Sequence, residues 1–479
     1  MLTVRRFGRV DRSAPIGDVR VKGASATIQS ERVRALNDQP ARDGKYVVYW
    51  MQASQRAEFN HALEYAIQEA NRLGQPLVAV FGLTDEFPEA NLRHYAFMLE
   101  GLRQAQAALA RRGVQLVVRR QSPGQAAIDI ARDASMLITD VGYLRIQKKW
   151  RQHVADNARC FVVQVETDAI VPVEIGSGKE EYAAATLRPK IHRQLDRFLV
   201  PLKTTPLRRD SLGLRLGGVD LSNVEALLAD LRVDKSVSPV DTHTPGTMQA
   251  KRRLKRFIAE RLKDYPTLRN DPSLDCVSHM SPYLHFGQIS PLYVALQIAG
   301  ARGVGRQAKD AYLEELIVRR ELSLNFVHYN RRYDSYRALP AWARTTLADH
   351  RRDRRPVRYS ADDLEHARTD DPYWNAAQRE MVLVGKMHNY MRMYWGKKIL
   401  EWTSSPQQAF RIALRLNNKY ELDGRDPNSF AGVAWCFGKH DRPWSRRPIF
   451  GTVRYMNAAG LRRKFDIDAY VRKVEQLER

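Results

Sequence analysis

From residue 45 the chain alternates short, continuous apolar runs with amphipathic stretches. The runs KYVVYW, LVAVFG, QLVVRR, MLITD and FVVQVE are separated by segments such as AEFNHALEYAIQEANRL and RHYAFMLEGLRQAQAALARRG, whose apolar residues recur at helical spacing. Strands that are apolar on both faces need helices on both sides. Residues 45 to about 175 are therefore expected to form a doubly wound α/β domain around a parallel sheet of about five strands. No GxGxxG turn follows the first strand, so a dinucleotide at that turn is not expected. The fragment GSGK around Gly178 is not a phosphate loop, because Val173 stands where the first glycine of that motif belongs.

Past this region the pattern changes twice. Residues 200 to 248 scatter Pro, Gly, Asp and Ser, as in PLKTTPLRRDSLGLRLGG and VSPVDTHTPGT, and read as a long surface connection. From about 249 onward the apolar spacing is helical almost everywhere, in AKRRLKRFIAERL, AKDAYLEELIVRRELSLNF, MVLVGKMHNYMRMYWGKKILEW and SPQQAFRIALRLNNKY. Ser405 followed by Pro406 reads as an N-cap with proline at the first helical position. The expected organisation is a mobile basic leader over 1–44, an α/β domain over 45–175, an interdomain linker over 176–248 and an all-helical domain over 249–479. The first 44 residues lack both sustained periodicity and the long apolar core of a secretory signal.

Charge narrows the partner. The 479 residues carry 78 Lys plus Arg against 54 Asp plus Glu, a net charge of +24, which favours a polyanion and above all nucleic acid. An anionic membrane surface competes for that role, but no apolar run approaches the roughly 18 residues of a spanning helix. Cys160, Cys276 and Cys436 lie more than a hundred residues apart and form no CxxC or zinc-type cluster, so a reducing cytoplasm is the expected compartment.

The unusual residues gather in the C-terminal half. Trp395 and Trp402 are seven residues apart on a helical stretch, so both indoles project from nearly one face, about 10 Å apart along the axis. Spacing alone fits core packing as well as a path between them. Trp374, Trp435 and Trp444 lie within about seventy positions of one another, interleaved with Arg392, Arg425, Arg442, Arg446 and Arg447. Aromatic and guanidinium groups together can hold bases and phosphates, and a basic face beside an aromatic core would look the same. In KYELDGRDPNSFAGVAW, a helix ending near Tyr420 runs into the charged turn formers Asp423, Gly424, Arg425, Asp426, Pro427 and Asn428. Such a loop can bind a heterocycle or an arginine, or simply cap the next helix. HDRPWSRRPIF then offers an Arg and Trp projection before a possible hairpin.

The segments YWMQASQRAEFNHAL, LTDEF, EYAAATLRPK, LRNDP, MSPYLHFGQIS, EELIVRREL, GKMHNYMRMYWGKKILEW, YELDGRDPNSFAGVAW, and RYM with RKFD closely resemble class II cyclobutane pyrimidine dimer photolyases. The resemblance runs in order from about residue 45 to the end. It implies a photolyase-like α/β domain joined to an all-helical domain that holds FAD in a folded form. It also implies an activity: light-excited reduced FAD gives an electron to a dimer flipped out of UV-damaged DNA, the cyclobutane bonds split, and the electron returns. The implied cofactor set is Tyr265, Arg269, Ser278, Ser281, Leu284, Gln288 and Asp426, with Asn417 facing the redox nitrogen and Arg392 paired with Asp423 beside the ring. Trp395, Trp374 and Trp402 are implied as inner, middle and outer steps of a photoreduction relay. For the dimer, the resemblance implies Glu315 as a hydrogen-bonding group and Met393 and Trp435 as apolar walls, with Arg442 and Trp444 in a DNA-contacting hairpin. Arg319 stands where some relatives carry a second aromatic, and CFGKHDRPW is one residue shorter than usual. An antenna chromophore, 8-hydroxy-5-deazaflavin before folate, and a monomer with no membrane association complete what the family implies. A cryptochrome-type photoreceptor and a 6-4 photolyase are the alternatives.

Overall fold

The computed structural model describes residues 28–477. The apolar runs form the expected parallel strands β2 (Tyr46–Trp50), β3 (Leu77–Leu83), β4 (Gln115–Arg120), β5 (Ala134–Asp140) and β6 (Phe161–Val165). Every residue of β2, β3 and β5 is buried, because helices cover both faces: α1 (His61–Leu73), α2 (Leu92–Ala110), α3 (Pro123–Ala131) and α4 (Arg145–Asn157).

The sheet has a sixth strand, β1 (Val33–Ala35), in the order β1-β6-β5-β2-β3-β4. It runs antiparallel to β6, with Val33 opposite Val165. This corrects the expected leader, which does not reach residue 44 as a mobile segment; its residues 1–27 lie outside the described residues. Three residues, none fully buried, leave no readable period. What fixes them is Arg32, whose buried guanidinium donates to the carbonyls of Glu166, Ala169 and Ile170.

Residues 176–248 include the helices Ala184–His192 and Val224–Asp230. The irregular chain between them lies against the α/β layer: Ser211 donates to the Leu77 carbonyl at 2.6 Å, Val219 N–H to the Val118 carbonyl at 2.8 Å, and Leu221 is fully buried. From Thr247 onward the chain is helical. Serine or aspartate caps with proline at the first turn start the Pro291–Ala299, Pro372–Val384, Pro406–Tyr420 and Pro427–Cys436 helices, the Ser405 cap among them. A Cβ on Gly396 would meet the Cys436 sulfur at 2.6 Å, so glycine lets the Asn389–Trp402 and Pro427–Cys436 helices touch.

Buried charged side chains join the two halves. Arg93 of α2 donates to the Tyr420 and Val382 carbonyls, at 2.8 and 2.7 Å, and Arg56 links Asp168 to the Gly287 carbonyl. Glu321 accepts from the Ile170 and Val171 N–H groups at 2.6 and 3.2 Å. Burial pushes its carboxyl up to about 8, against those two bonds and the Arg320 charge. A folded-state value above the unfolded one gives a contribution that is full below the ordinary carboxylate range and lost as pH rises through about 8. Unfolding at pH 5 and pH 8 should therefore show the wild type losing stability relative to Glu321→Gln on going up in pH. Parallel profiles for the two proteins would remove Glu321 as the source.

Candidate functional site

The three tryptophans form one contiguous, buried line. Trp374, on the Pro372–Val384 helix, stacks on Trp395 with ring centroids 6.4 Å apart and planes within 5°, and meets Trp402 edge-on at 5.5 Å. All three are at most 4% exposed. The Trp395 indole N–H donates to the Gln378 side-chain carbonyl at 2.9 Å, and that of Trp374 to the Trp395 backbone carbonyl at 3.0 Å. At the outer end, Tyr359 packs edge-on to Trp402 at 5.1 Å and the Lys398 ammonium lies 5.2 Å from its ring.

The inner end of the line meets a buried charged loop. Arg392, one turn ahead of Trp395, pairs with Glu421 at 2.9 Å and reaches Asp423 only at 4.0 Å. The expected Arg392–Asp423 couple is thus a larger cluster. Lys386 joins it, 3.7 Å from Asp423 and bonded to the Ser281 hydroxyl. Burial alone would raise the Asp423 carboxyl, but the Lys386 and Arg392 charges outweigh it and hold the group below the usual range. Burial pushes Glu421 up to about 8; Arg392 opposes this and the Asp423 charge adds to it. Burial thus works to keep a proton on Glu421, while the Lys386 and Arg392 charges favour the ionised form of Asp423. Gly424 makes the turn possible, since a Cβ there would come within 2.9 Å of Asn418 and of the Glu421 carbonyl.

Four atoms of this cluster are left over. Asn417 Oδ1, Arg392 Nε, Glu421 Oε2 and Asp423 Oδ1 are buried without a hydrogen-bond partner, and such groups are costly unless something fills the space between them. A flat heterocycle with donors and acceptors on its edge, as in the isoalloxazine of FAD, fits that donor and acceptor set. The other expected cofactor residues divide. Tyr265 packs on Arg269 and Tyr312, Ser278 accepts from the Tyr312 hydroxyl at 2.9 Å, Ser281 faces Lys386, and Leu284 is half-buried. Gln288, by contrast, is a strut between the halves, accepting from Gly246 N–H at 2.7 Å and donating to the Phe97 carbonyl at 3.1 Å. Asp426 caps the Pro427–Cys436 helix through Asn428 N–H and meets His285 at 3.1 Å, so its carboxylate has a structural use.

Glu315 and Arg319 sit on a π-helical turn, Glu314–Arg319, an irregularity concentrated at functional sites. Glu315 pairs with Arg269 at 2.6 Å, which brings an expected substrate residue and an expected cofactor residue together. Arg319 is exposed and pairs with Glu314 at 3.3 Å. Met393 and Trp435 are half-buried on the Asn389–Trp402 and Pro427–Cys436 helices. The expected hairpin is a tight loop: Trp444 N–H donates to the Thr452 carbonyl, and Arg447 and Gly451 exchange both backbone bonds at 2.8 Å. Arg442 and Arg454 lie 5.3 and 4.9 Å from the exposed Trp444 ring. Beside it a cleft of about 470 Å³ carries Arg447, Arg454, Arg463 and Lys464, with no carboxylate among the described residues that line it.

A separate, mostly apolar cavity lies at the ends of β2 and β3, between Phe81, Phe87, Tyr95, Met98 and Trp150. Arg425 also lines it. This guanidinium is buried, held by a His94 ring nitrogen at 2.9 Å and the Asn418 carbonyl at 2.8 Å, and pairs with no carboxylate among the described residues. Sequence reasoning missed Glu421, Lys386 and Gln378, whose partners come from distant segments.

The fold defines the class. It matches a bacterial class III photolyase from Agrobacterium tumefaciens with a TM-score of 0.71 at 20% identity, over 90% of this chain and 86% of that one. It matches a Synechocystis cryptochrome with a TM-score of 0.70 at 16% identity, over 89% and 88%. The DNA photolyase family model matches residues 47–207. The deoxyribodipyrimidine photo-lyase of Methanothermobacter thermautotrophicus is 55% identical over 94% of this chain and 99% of its own length, and that of Arabidopsis thaliana is 41% identical over 90% and 89%. The chain belongs to the DNA photolyase family.

Proposed function

We propose that this protein is a deoxyribodipyrimidine photolyase that repairs cyclobutane pyrimidine dimers in UV-damaged DNA with light. The observation that carries this reading is the buried indole line ending, within one helical turn, at a charged loop with four unpartnered polar atoms. The photo-lyase names of the extensive relatives support it over a cryptochrome-type photoreceptor or a 6-4 photolyase. Residues 249–479 would form the FAD-binding domain and 45–175 the light-harvesting one.

Bound reduced FAD would supply, on absorbing light, the electron that opens the cyclobutane ring. Asn417 and the Arg392, Glu421 and Asp423 cluster would hold its ring edge, with Arg392 and Lys386 stabilising negative charge there. Arg269, Ser278 and Ser281 would supply donors for its phosphates. Trp402, Trp374 and Trp395 pass electrons inward in that order to recharge the cofactor. Glu315, held by Arg269, reads a base edge of the flipped dimer, Met393 and Trp435 wall it, and Trp444 with Arg442 fills the gap left in the duplex. The basic cleft beside Trp444 suits backbone phosphates.

The cavity that Arg425 lines suits an aromatic antenna with an ionisable group, which favours 8-hydroxy-5-deazaflavin over folate. No helix among the described residues is long and apolar enough to cross a membrane. A cytoplasmic monomer completes the reading.

The test is repair of a dimer-containing oligonucleotide by reduced holoenzyme, followed as recovery of thymine absorbance under near-ultraviolet or blue light against a dark control. Glu315→Ala should lower the repair yield at least about tenfold, equivalent to about 1.4 kcal/mol, and affinity by less. A normal yield in that variant would withdraw Glu315 from the dimer site, and absence of light-dependent recovery in the wild type would overturn the reading itself.

A further inference from the structure

Among the described residues only two Phe, Tyr or Trp side chains are exposed, Tyr182 at 50% and Trp444 at 40%. Both converge on Asp441: the Tyr182 hydroxyl donates to its backbone carbonyl at 2.9 Å, and the Trp444 indole N–H to its carboxylate at 3.2 Å. Tyr182 lies far from Trp444 in sequence, two residues ahead of the Ala184–His192 helix. Its position is nevertheless built. The Trp342 indole N–H donates to its hydroxyl at 3.1 Å, its carbonyl meets the His440 ring at 2.9 Å, Lys439 pairs with Glu180, and Asn325 accepts from Glu181 N–H at 2.8 Å. An exposed ring whose segment is held by bonds from three others gains nothing from burial, so its orientation has another use.

We propose that Tyr182 is a second base-stacking platform, which takes an unpaired base of the undamaged DNA strand beside Trp444. The proposal rests on the repair reading and assigns a site within it. Turning two linked pyrimidines out of a duplex leaves two partner bases unpaired, and one indole in the gap does not shelter both. Tyr182 and Trp444 share Asp441, which sets the phenol beside the ring that enters the gap. Asn325, which holds its segment, lies on the helix that continues from the Glu315 and Arg319 turn, and Arg188 of the helix after Tyr182 pairs with Glu314 at 2.8 Å. Arg442, Arg446 and Arg447, within six residues of Asp441 in sequence, are exposed cations suited to the strand's phosphates. A phenol presents a flat face to any base, which suits a strand whose sequence varies.

The test uses reduced holoenzyme in the dark and a duplex with 2-aminopurine opposite the dimer. Tyr182→Ala should bind it about 5- to 150-fold more weakly, about 1–3 kcal/mol, and should lose part of the fluorescence quenching seen with wild type. Tyr182→Phe, which keeps the ring and loses the bond to Asp441, should retain both. FAD content of the variants controls for folding. Wild-type affinity and quenching in Tyr182→Ala would overturn the proposal, as would a loss in Tyr182→Phe equal to that in Tyr182→Ala, which would assign Tyr182 to holding the Asp441 loop. Wild-type preference for the dimer duplex over undamaged duplex, read in the same titration, tests the repair reading separately, so its failure shows in the wild type and failure of this proposal only in the variants.

Discussion

Trp374→Phe slows photoreduction of bound FAD by at least about 100-fold, about 2.7 kcal/mol of barrier, while chemically prereduced enzyme repairs at the wild-type rate. The expectation follows from position. Trp374 touches Trp395 and Trp402, and no direct contact between those two rings accompanies it. A phenyl ring keeps most of the packing but is far harder to oxidise and cannot donate to the Trp395 carbonyl. The stability cost should stay within about 1–3 kcal/mol, and folding is checked by FAD content. Flash photolysis of oxidised enzyme, set beside a repair assay of prereduced enzyme, separates the roles. Equal loss in both assays would place Trp374 in the repair step or in the core alone.

Arg392→Met has the largest expected effect on the folded molecule. It leaves Asp423 ionised and buried with Lys386 alone at 3.7 Å, and removes the 2.9 Å partner of Glu421. Removing one member of a buried pair costs about 3–5 kcal/mol, because the remaining charge stays uncompensated. The variant should unfold at lower denaturant concentration and purify with little FAD. Retention of full FAD occupancy with unchanged stability would show that the loop is not the flavin's charge partner.

Much of this was readable in the residues, and the remainder divides by physical cause. Strands β2 to β6 announced themselves because both faces are covered, which makes apolar runs continuous. Strand β1 did not, since it is three residues long and is held by the buried Arg32 rather than by an apolar face. Spacing put Trp395 and Trp402 on one face, but Trp374 sits on another helix, so only family likeness could nominate it. The geometry then supplied the contact. The Arg392 and Asp423 pairing was nominated the same way, and Glu421 and Lys386 went unnoticed because ion pairs between separate segments leave no period. Gln288 and Asp426 show the converse: their motif was legible, whereas the use of each side chain depends on what packs against it.

The hydrogen bonds of the two inner indoles carry one more consequence. Trp395 and Trp374 each point their N–H at an amide oxygen, an acceptor far too weakly basic to take a proton at neutral pH, and both rings are sealed from water. Either ring can therefore surrender an electron and keep its hydrogen. In the proposed relay, charge would therefore move through the buried part of the line without mass, and nothing would have to be put back before the next electron.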